Sequence, residues 1–308
     1  MNLIDFTEKF PNEESCKLKF KEMREREGIK CRKCGHDSHY WKRDKEMYEC
    51  KKCGTRMSLK SGTVMHKSKL SFRYWFIAMH LLTSTRKTFS AKEIQRQLGH
   101  KRYQPIWHMM HKLRNAMGKR DANYELWGEM ELDDGFFSTP VSKDEKNEPL
   151  KRGRGSQKKT KVLVMTESAS VDQPKKGKKS RKVGHIKMKV IEDLKANTID
   201  SVVDECVSPQ AHVKTDDSTS YVGLSKKVEQ HISKVILKKD VNNELPWVHI
   251  AISNAKGWLL SNFHKINKEY LQYYLDEFCY NFNRRYMIEN LFDRLLVACV
   301  TSKNDFRY

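Results

Sequence analysis

The chain has 308 residues, 38% of them apolar and 32% charged, with six Trp and a formal net charge of +21. That is enough apolar material for more than one core, which excludes disorder throughout, and the charge makes a polyanion the expected partner, nucleic acid first and an acidic membrane surface second. No apolar run approaches the roughly 18 residues needed to cross a bilayer, and the opening MNLIDFTEKFPNEESC lacks the basic-then-apolar order of a signal peptide, so the chain reads as soluble and intracellular with no membrane partner.

Of the eight cysteines, Cys16, Cys206, Cys279 and Cys299 are scattered, which suits a reducing compartment better than a disulfide framework. The other four fall in CRKCGHDSHYWKRDKEMYECKKC as two CxxC pairs, Cys31 with Cys34 and Cys50 with Cys53. Each pair is a tight knuckle that turns two thiolates to one side, and the segment between can run out and back as a short hairpin. Four sulfurs can then meet around a structural Zn²⁺ as a zinc ribbon. Gly35 and Gly54 follow the second cysteine of each pair, where a knuckle needs a permissive backbone. His36, His39 and His66 are not needed as ligands.

LSFRYWFIAMHLLTS, Leu70 to Ser84, is apolar enough for a buried helix. Ser90-Ala-Lys-Glu93 is a capping box that opens a short helix stopped at Gly99. Beyond it, Ile106, Met109, Met110, Leu113 and Met117 recur at helical spacing. Two helices across a short glycine-containing turn predict a helix-turn-helix-like unit whose second helix can enter a major groove, with Lys112 and Arg114 among its DNA-binding residues.

From Glu129 the pattern changes to strands: EMELDDGFF, a basic loop, KVLVMTES, a second basic insert and HIKMKVIED. A helical piece, KANTIDSVVDECV, leads to the strand AHVKTDD, then to YVGLSKK and another possible strand, HISKVIL. Helices follow over 246–265, 268–280 and 286–300. Three strands in succession, then alternating helix and strand, predict a mixed α/β sheet in the order of a ribonuclease H-like fold. In that order the first strand is central and the fourth lies beside it, so Asp133 and Asp216 would face each other.

EMELDDGFF sets Glu131, Asp133 and Asp134 among apolar neighbours. Burying ionised carboxylates costs several kcal/mol unless they are paired or hold a metal. Two Mg²⁺ or Mn²⁺ ions, shared by Asp133 and Asp216, would meet that cost and could serve phosphodiester chemistry. Strand alternation puts Glu131 and Asp133 on one face and Met130, Leu132 and Asp134 on the other, which favours Asp133 and Asp216 over Asp134 and Asp217.

With the four-cysteine ribbon, MELDD, KRGRGS, KTKVLVMTES, VKTDDSTSY, WVHIAISNAK and YLDEFCYNFNRR in this order, the chain resembles transposases of the IS1595 family, related to the ISXO2-like group. The resemblance implies a DDE-type DNA transposase with a ribonuclease H-like catalytic domain. Such an enzyme binds the terminal inverted repeats of its own insertion element in double-stranded DNA, and cleaves and joins them to target DNA with divalent metal. It works as a homodimer or larger assembly in the bacterial cytoplasm, at the nucleoid. Asp133 and Asp216 carry over as the first two metal ligands.

The third position departs from that pattern, because PWVHIAISNAKGWLLSNFHK contains no carboxylate. His249 and Asn254, 33 and 38 residues beyond Asp216, are the neutral candidates. Members of the family resembled carry Asn in place of Glu, with a nearby Lys. His249 and Lys256, seven residues apart, project from nearly one helix face, as a third ligand and its DNA-contacting lysine would. Asn254 lies well round the helix but matches the family's Asn, so both stay open; Glu277 is an outside candidate. The basic inserts at 151–161 and 175–188 can track phosphates, Arg152 and Arg154 among them. The expected division is a zinc ribbon over 1–62, a helical DNA-binding domain over 63–128 and the catalytic domain over 129–308. The rival readings are a catalytically inactive, domesticated zinc-ribbon regulator and a ribonuclease H-like nuclease without strand transfer.

Overall fold

The computed structural model describes residues 1–141, 149, 153, 156–174, 177, 179–236, 240–303 and 305–306. They fall into two compact units, one of Met1–Arg120 with Arg284–Tyr308 and one of Asp121–Asn283.

The first unit opens with helices α1 (Leu3–Lys9) and α2 (Glu13–Arg26). A capping box starts α2: the Asn12 side chain accepts the Ser15 amide at 2.9 Å, and the Ser15 hydroxyl oxygen accepts the Asn12 amide at 3.4 Å. Strands β1 (His39–Lys42), β2 (Met47–Cys50) and β3 (Arg56–Ser58) form an antiparallel meander. Arg24 on α2 is buried and donates to the carbonyls of Ser58, Leu59 and Ser61 at 3.1, 2.6 and 2.7 Å, tying the helix to the end of that meander.

Helices α3 (Phe72–Ser84), α4 (Ala91–Leu98) and α5 (Tyr103–Ala122) follow. The Ser90 hydroxyl accepts the Glu93 amide at 3.1 Å, but the Glu93 carboxylate turns to Arg96 and Gln97, so half of the expected capping box forms. Gly99, at φ 61°, ends α4 in the left-handed region that favours glycine. The last helix of the chain, α10 (Leu291–Thr301), belongs to this unit, where Phe292 meets Phe10 and Phe76 with ring centroids 5.5 and 5.6 Å apart.

The second unit is built on a mixed five-stranded sheet. Strand β4 (Glu129–Ser138) is central, with β5 (Lys159–Ser170) antiparallel beside it and β6 (Arg181–Ile191) antiparallel beyond. After α6 (Ala196–Cys206), β7 (His212–Asp216) pairs in parallel with the other edge of β4, and β8 (Gln230–Lys234) pairs in parallel with β7. The first strand is therefore central and the fourth beside it, as the pattern requires. Between β7 and β8 the chain forms two short 3₁₀ turns, Thr219–Tyr221 and Leu224–Lys226, the first capped by the Ser218 hydroxyl.

Helices α7 (Val241–Glu244), α8 (Pro246–Leu260) and α9 (Lys268–Asn283) complete the unit. Both faces of the sheet are covered. Met130, Leu132, Met165 and Val213 pack in one core with Ile199 and Val203 of α6. Phe137, Val162 and Val164 pack in the other with Val248, Ala251, Ile252, Ala255 and Leu259 of α8 and with α9. Spacing by three and four gives α8 a single apolar stripe, each large side chain of which contributes about 1.5–3 kcal/mol when fully buried.

Candidate functional site

Two groups of side chains have the chemistry of metal sites. In the first unit the two CxxC pairs make the same turn. The Cys31 carbonyl accepts the Gly35 amide and the Cys50 carbonyl the Gly54 amide, both at 2.9 Å, and the two glycines have φ of 73° and 67°. The sulfurs of Cys31 and Cys53 are 3.6 Å apart, those of Cys34 and Cys50 3.6 Å, and those of Cys34 and Cys53 3.4 Å. Zinc–sulfur bonds of about 2.3 Å in a tetrahedron put sulfurs about 3.8 Å apart. All four ligand atoms lie within 4.8 Å of one another, and among the described residues no other group of three or more His, Cys, Asp or Glu is that tight. The donor set suits a structural Zn²⁺.

In the second unit the three acids of EMELDDGFF have three environments. Asp134 pairs with Leu163 on the α6 face of the sheet, while Asp133 pairs with Val164 on the α8 face. The Asp133 Oδ1 accepts the Asp134 amide at 2.7 Å, and its Oδ2 lies 3.6 Å from His249 Nε2. Glu131 is 6% exposed, and its Oε2 accepts the amides of Trp247 at 2.7 Å and Val248 at 2.9 Å, in the first turn of α8. Loss of hydration raises the Glu131 carboxyl above its usual pKa, against the pull of those amides and of Lys214 and Lys179.

Asp216 ends β7. The parallel register ends with Glu131 opposite Lys214; continued by two residues it would set Asp133 beside Asp216 on the same face. Asp216 does not join Asp133 and His249 in a group as tight as the cysteines.

On α8, His249 and Lys256 share the flank that faces β4. Lys256 Nζ lies 5.6 Å from the centre of the Phe137 ring. Burial lowers the pKa of both side chains, and each is lowered further by a neighbouring cation, Lys256 for His249 and Lys159 for Lys256. Asn254 is exposed and lies about 140° round the helix from His249 at 100° per residue. It shares its flank with Trp258, whose ring meets Phe278 of α9 at 5.7 Å. Glu277 is fully buried in α9.

Lys112 and Arg114, expected at a DNA surface, are turned inward. Lys112 donates to the His66 carbonyl at 2.9 Å, and Arg114 is 0% exposed. The sequence shows one apolar stripe on α5, but the fold also covers its flanks, burying His111, Arg114 and Ala116. The exposed cations of this region include Arg86, Lys87, Lys92, Arg96, Lys101, Arg102 and Arg120. Arg152 and Arg154 lie outside the described residues. No helix among the described residues is long and apolar enough to cross a membrane.

Residues 11–56 match the transposase zinc-ribbon domain, and residues 125–283 match the ISXO2-like transposase domain. No protein of curated function matches the chain. Among solved structures, a chain in the crystal structure of a pre-cleavage Mos1 transpososome is similar at 11% identity, over 75% of this chain and 80% of that one, with a TM-score of 0.29.

Proposed function

The chain belongs to the IS1595 family of ISXO2-like transposases, and from that membership we propose that it binds the terminal inverted repeats of its insertion element and catalyses their cleavage and strand transfer. The observation that carries the proposal is the His249 imidazole 3.6 Å from Asp133, supported by the parallel register of β4 with β7, whose last pair is Glu131 with Lys214, two residues before Asp133 and Asp216. The strand order β6-β5-β4-β7-β8, with β7 and β8 parallel to β4, supports a ribonuclease H-like fold for this unit.

Asp133 and Asp216 hold Mg²⁺ or Mn²⁺, with His249 as the third donor and Asn254 as the alternative that the family resemblance suggests. Two donor atoms each about 2.1 Å from a shared ion would lie about 3 to 4 Å apart, so the 3.6 Å between Asp133 Oδ2 and His249 Nε2 would fit. Two bound ions supply charge neutralisation at the scissile phosphodiester and a more acidic attacking hydroxyl. Lys256, on the same flank as His249, holds a phosphate oxygen of the DNA. The proposed division follows the motifs, with the ribbon over 1–62 and helices over 63–128 gripping the ends and 129–308 as the catalytic segment, although α10 packs in the first unit. Helices α4 and α5 across Gly99 act as the helix-turn-helix, with phosphate contacts from exposed cations such as Lys101 and Arg102 in place of Lys112 and Arg114. Both ends must be held together, so the working form is a homodimer or larger assembly at the bacterial nucleoid.

Incubation with labelled element ends and Mg²⁺ or Mn²⁺ tests the proposal: joined products are expected, abolished by Asp133→Asn or Asp216→Asn with DNA binding retained. The lack of a carboxylate in α8 favours a second reading, a DNA-binding regulator without turnover. Binding without nicks or joined strands would establish it, and nicks alone would point to a nuclease.

A further inference from the structure

The structure assigns Glu131 to positioning: by accepting the first free amides of α8, it sets where His249 stands over Asp133. The inference rests on the metal-site reading above and goes beyond it, because the role assigned to Glu131 is to accept helix amides rather than to hold metal.

Helix α8 begins with Pro246, which has no amide hydrogen, and its N-cap residue Leu245 offers no side-chain acceptor. The amides left without partners in the first turn are those of Trp247 and Val248, and both go to one oxygen of a side chain 116 and 117 residues earlier in the chain. Two bonds to a single atom fix the start of the helix along its axis and in rotation. The next residue of the helix is His249. On the strand, Glu131 and Asp133 are two residues apart and share the α8 face. One stretch of β4 therefore holds both the metal-ligand candidate and the acceptor that aligns the opposing donor. A carboxylate serving only stability could cap α8 from any neighbouring loop. Seated in the central strand one side-chain repeat from Asp133, it makes the Asp133–His249 spacing a property of local geometry.

The test measures Mn²⁺ binding to the full-length, zinc-loaded chain by electron paramagnetic resonance, alongside hydrogen exchange at Trp247 and Val248 and thermal unfolding. Asp133→Asn should abolish the binding. Glu131→Ala should speed exchange at both amides and weaken Mn²⁺ binding by on the order of 10- to 100-fold, the scale for losing a residue that orients a metal ligand. Glu131→Gln, which keeps an acceptor oxygen, should restore most of the loss. If Glu131→Ala fails to fold, Glu131→Asp is read in its place, since the shorter side chain keeps the carboxylate but withdraws it from the amides. The positioning role is overturned if Asp133→Asn abolishes binding while Glu131→Ala, or its substitute, lowers the melting temperature and speeds exchange at wild-type Mn²⁺ affinity. If Asp133→Asn itself leaves Mn²⁺ binding unchanged, the metal-site reading fails, and the positioning role falls with it.

Discussion

Asp133 and Asp134 are adjacent acids, and only side-chain alternation separates them: one faces α8 and His249, the other the α6 core. That much was legible in the sequence, because a strand's period of two needs no long-range information. Glu131 was visible as a puzzle but not as a cap, since its partners lie more than a hundred residues away. Arg114 departs from the surface expected of it because the other flank of its helix is also covered. The third ligand can now be weighed by mutation. His249→Ala should cut strand cleavage by about a hundredfold or more, the scale on which a misplaced group at a reacting centre is felt, and Asn254→Ala should leave most of it in the same assay. A second residue gives a pH signature. Loss of hydration, reinforced by Asp121 and opposed by Gln272 and Lys189, raises the Asp276 carboxyl to about 7 from an ordinary 3.8. The folded state then binds the proton more tightly than the unfolded chain, so this contribution is fully present below the ordinary value and is lost as pH rises towards about 7. Asp276→Asn should flatten that slope and raise stability at pH 8, measured as urea midpoints across the range.

Among the elements, those with caps or strict periodicity were readable: α3, α4 and α5, and the strands around Asp133 and Asp216, lie within a few residues of their expected positions. Helix α2 also carries a local signal: Asn12 and the acids after it form a start, and Cys16, Phe20 and Met23, four and three residues apart, form an apolar stripe. The ribbon depends on α2 in a way no local pattern reveals, because the carbonyls that Arg24 satisfies belong to the end of β3 and the turn after it. Arg24→Ala leaves three carbonyls without their charged donor, and should destabilise the first unit by about 3 kcal/mol or more. Calorimetry should show that loss in the transition of the first unit, with the second unit melting as before.

For the molecule as a whole, a net charge of +21 on 308 residues makes DNA affinity an electrostatic quantity. If 6–10 phosphates are contacted, binding should fall by about 10³- to 10⁵-fold between 50 and 200 mM salt. Fluorescence anisotropy with duplex DNA gives the slope, and a shallow one would rule out so broad a contact. The composition announced this property, but not the order in which the units are threaded. Asp121 and Asn283, the first and last residues of the second unit, are joined by a hydrogen bond of 3.1 Å from the Asn283 side-chain amide to the Asp121 carboxylate. The remainder of the chain, α10 included, returns to finish the first unit, where Phe292 and Cys299 meet side chains from the opening helices and α3. On the ribosome, the half that begins first is therefore completed last. A premature stop shortly after Asn283 would spare every candidate metal ligand, yet leave the ribbon half with an open hydrophobic wound.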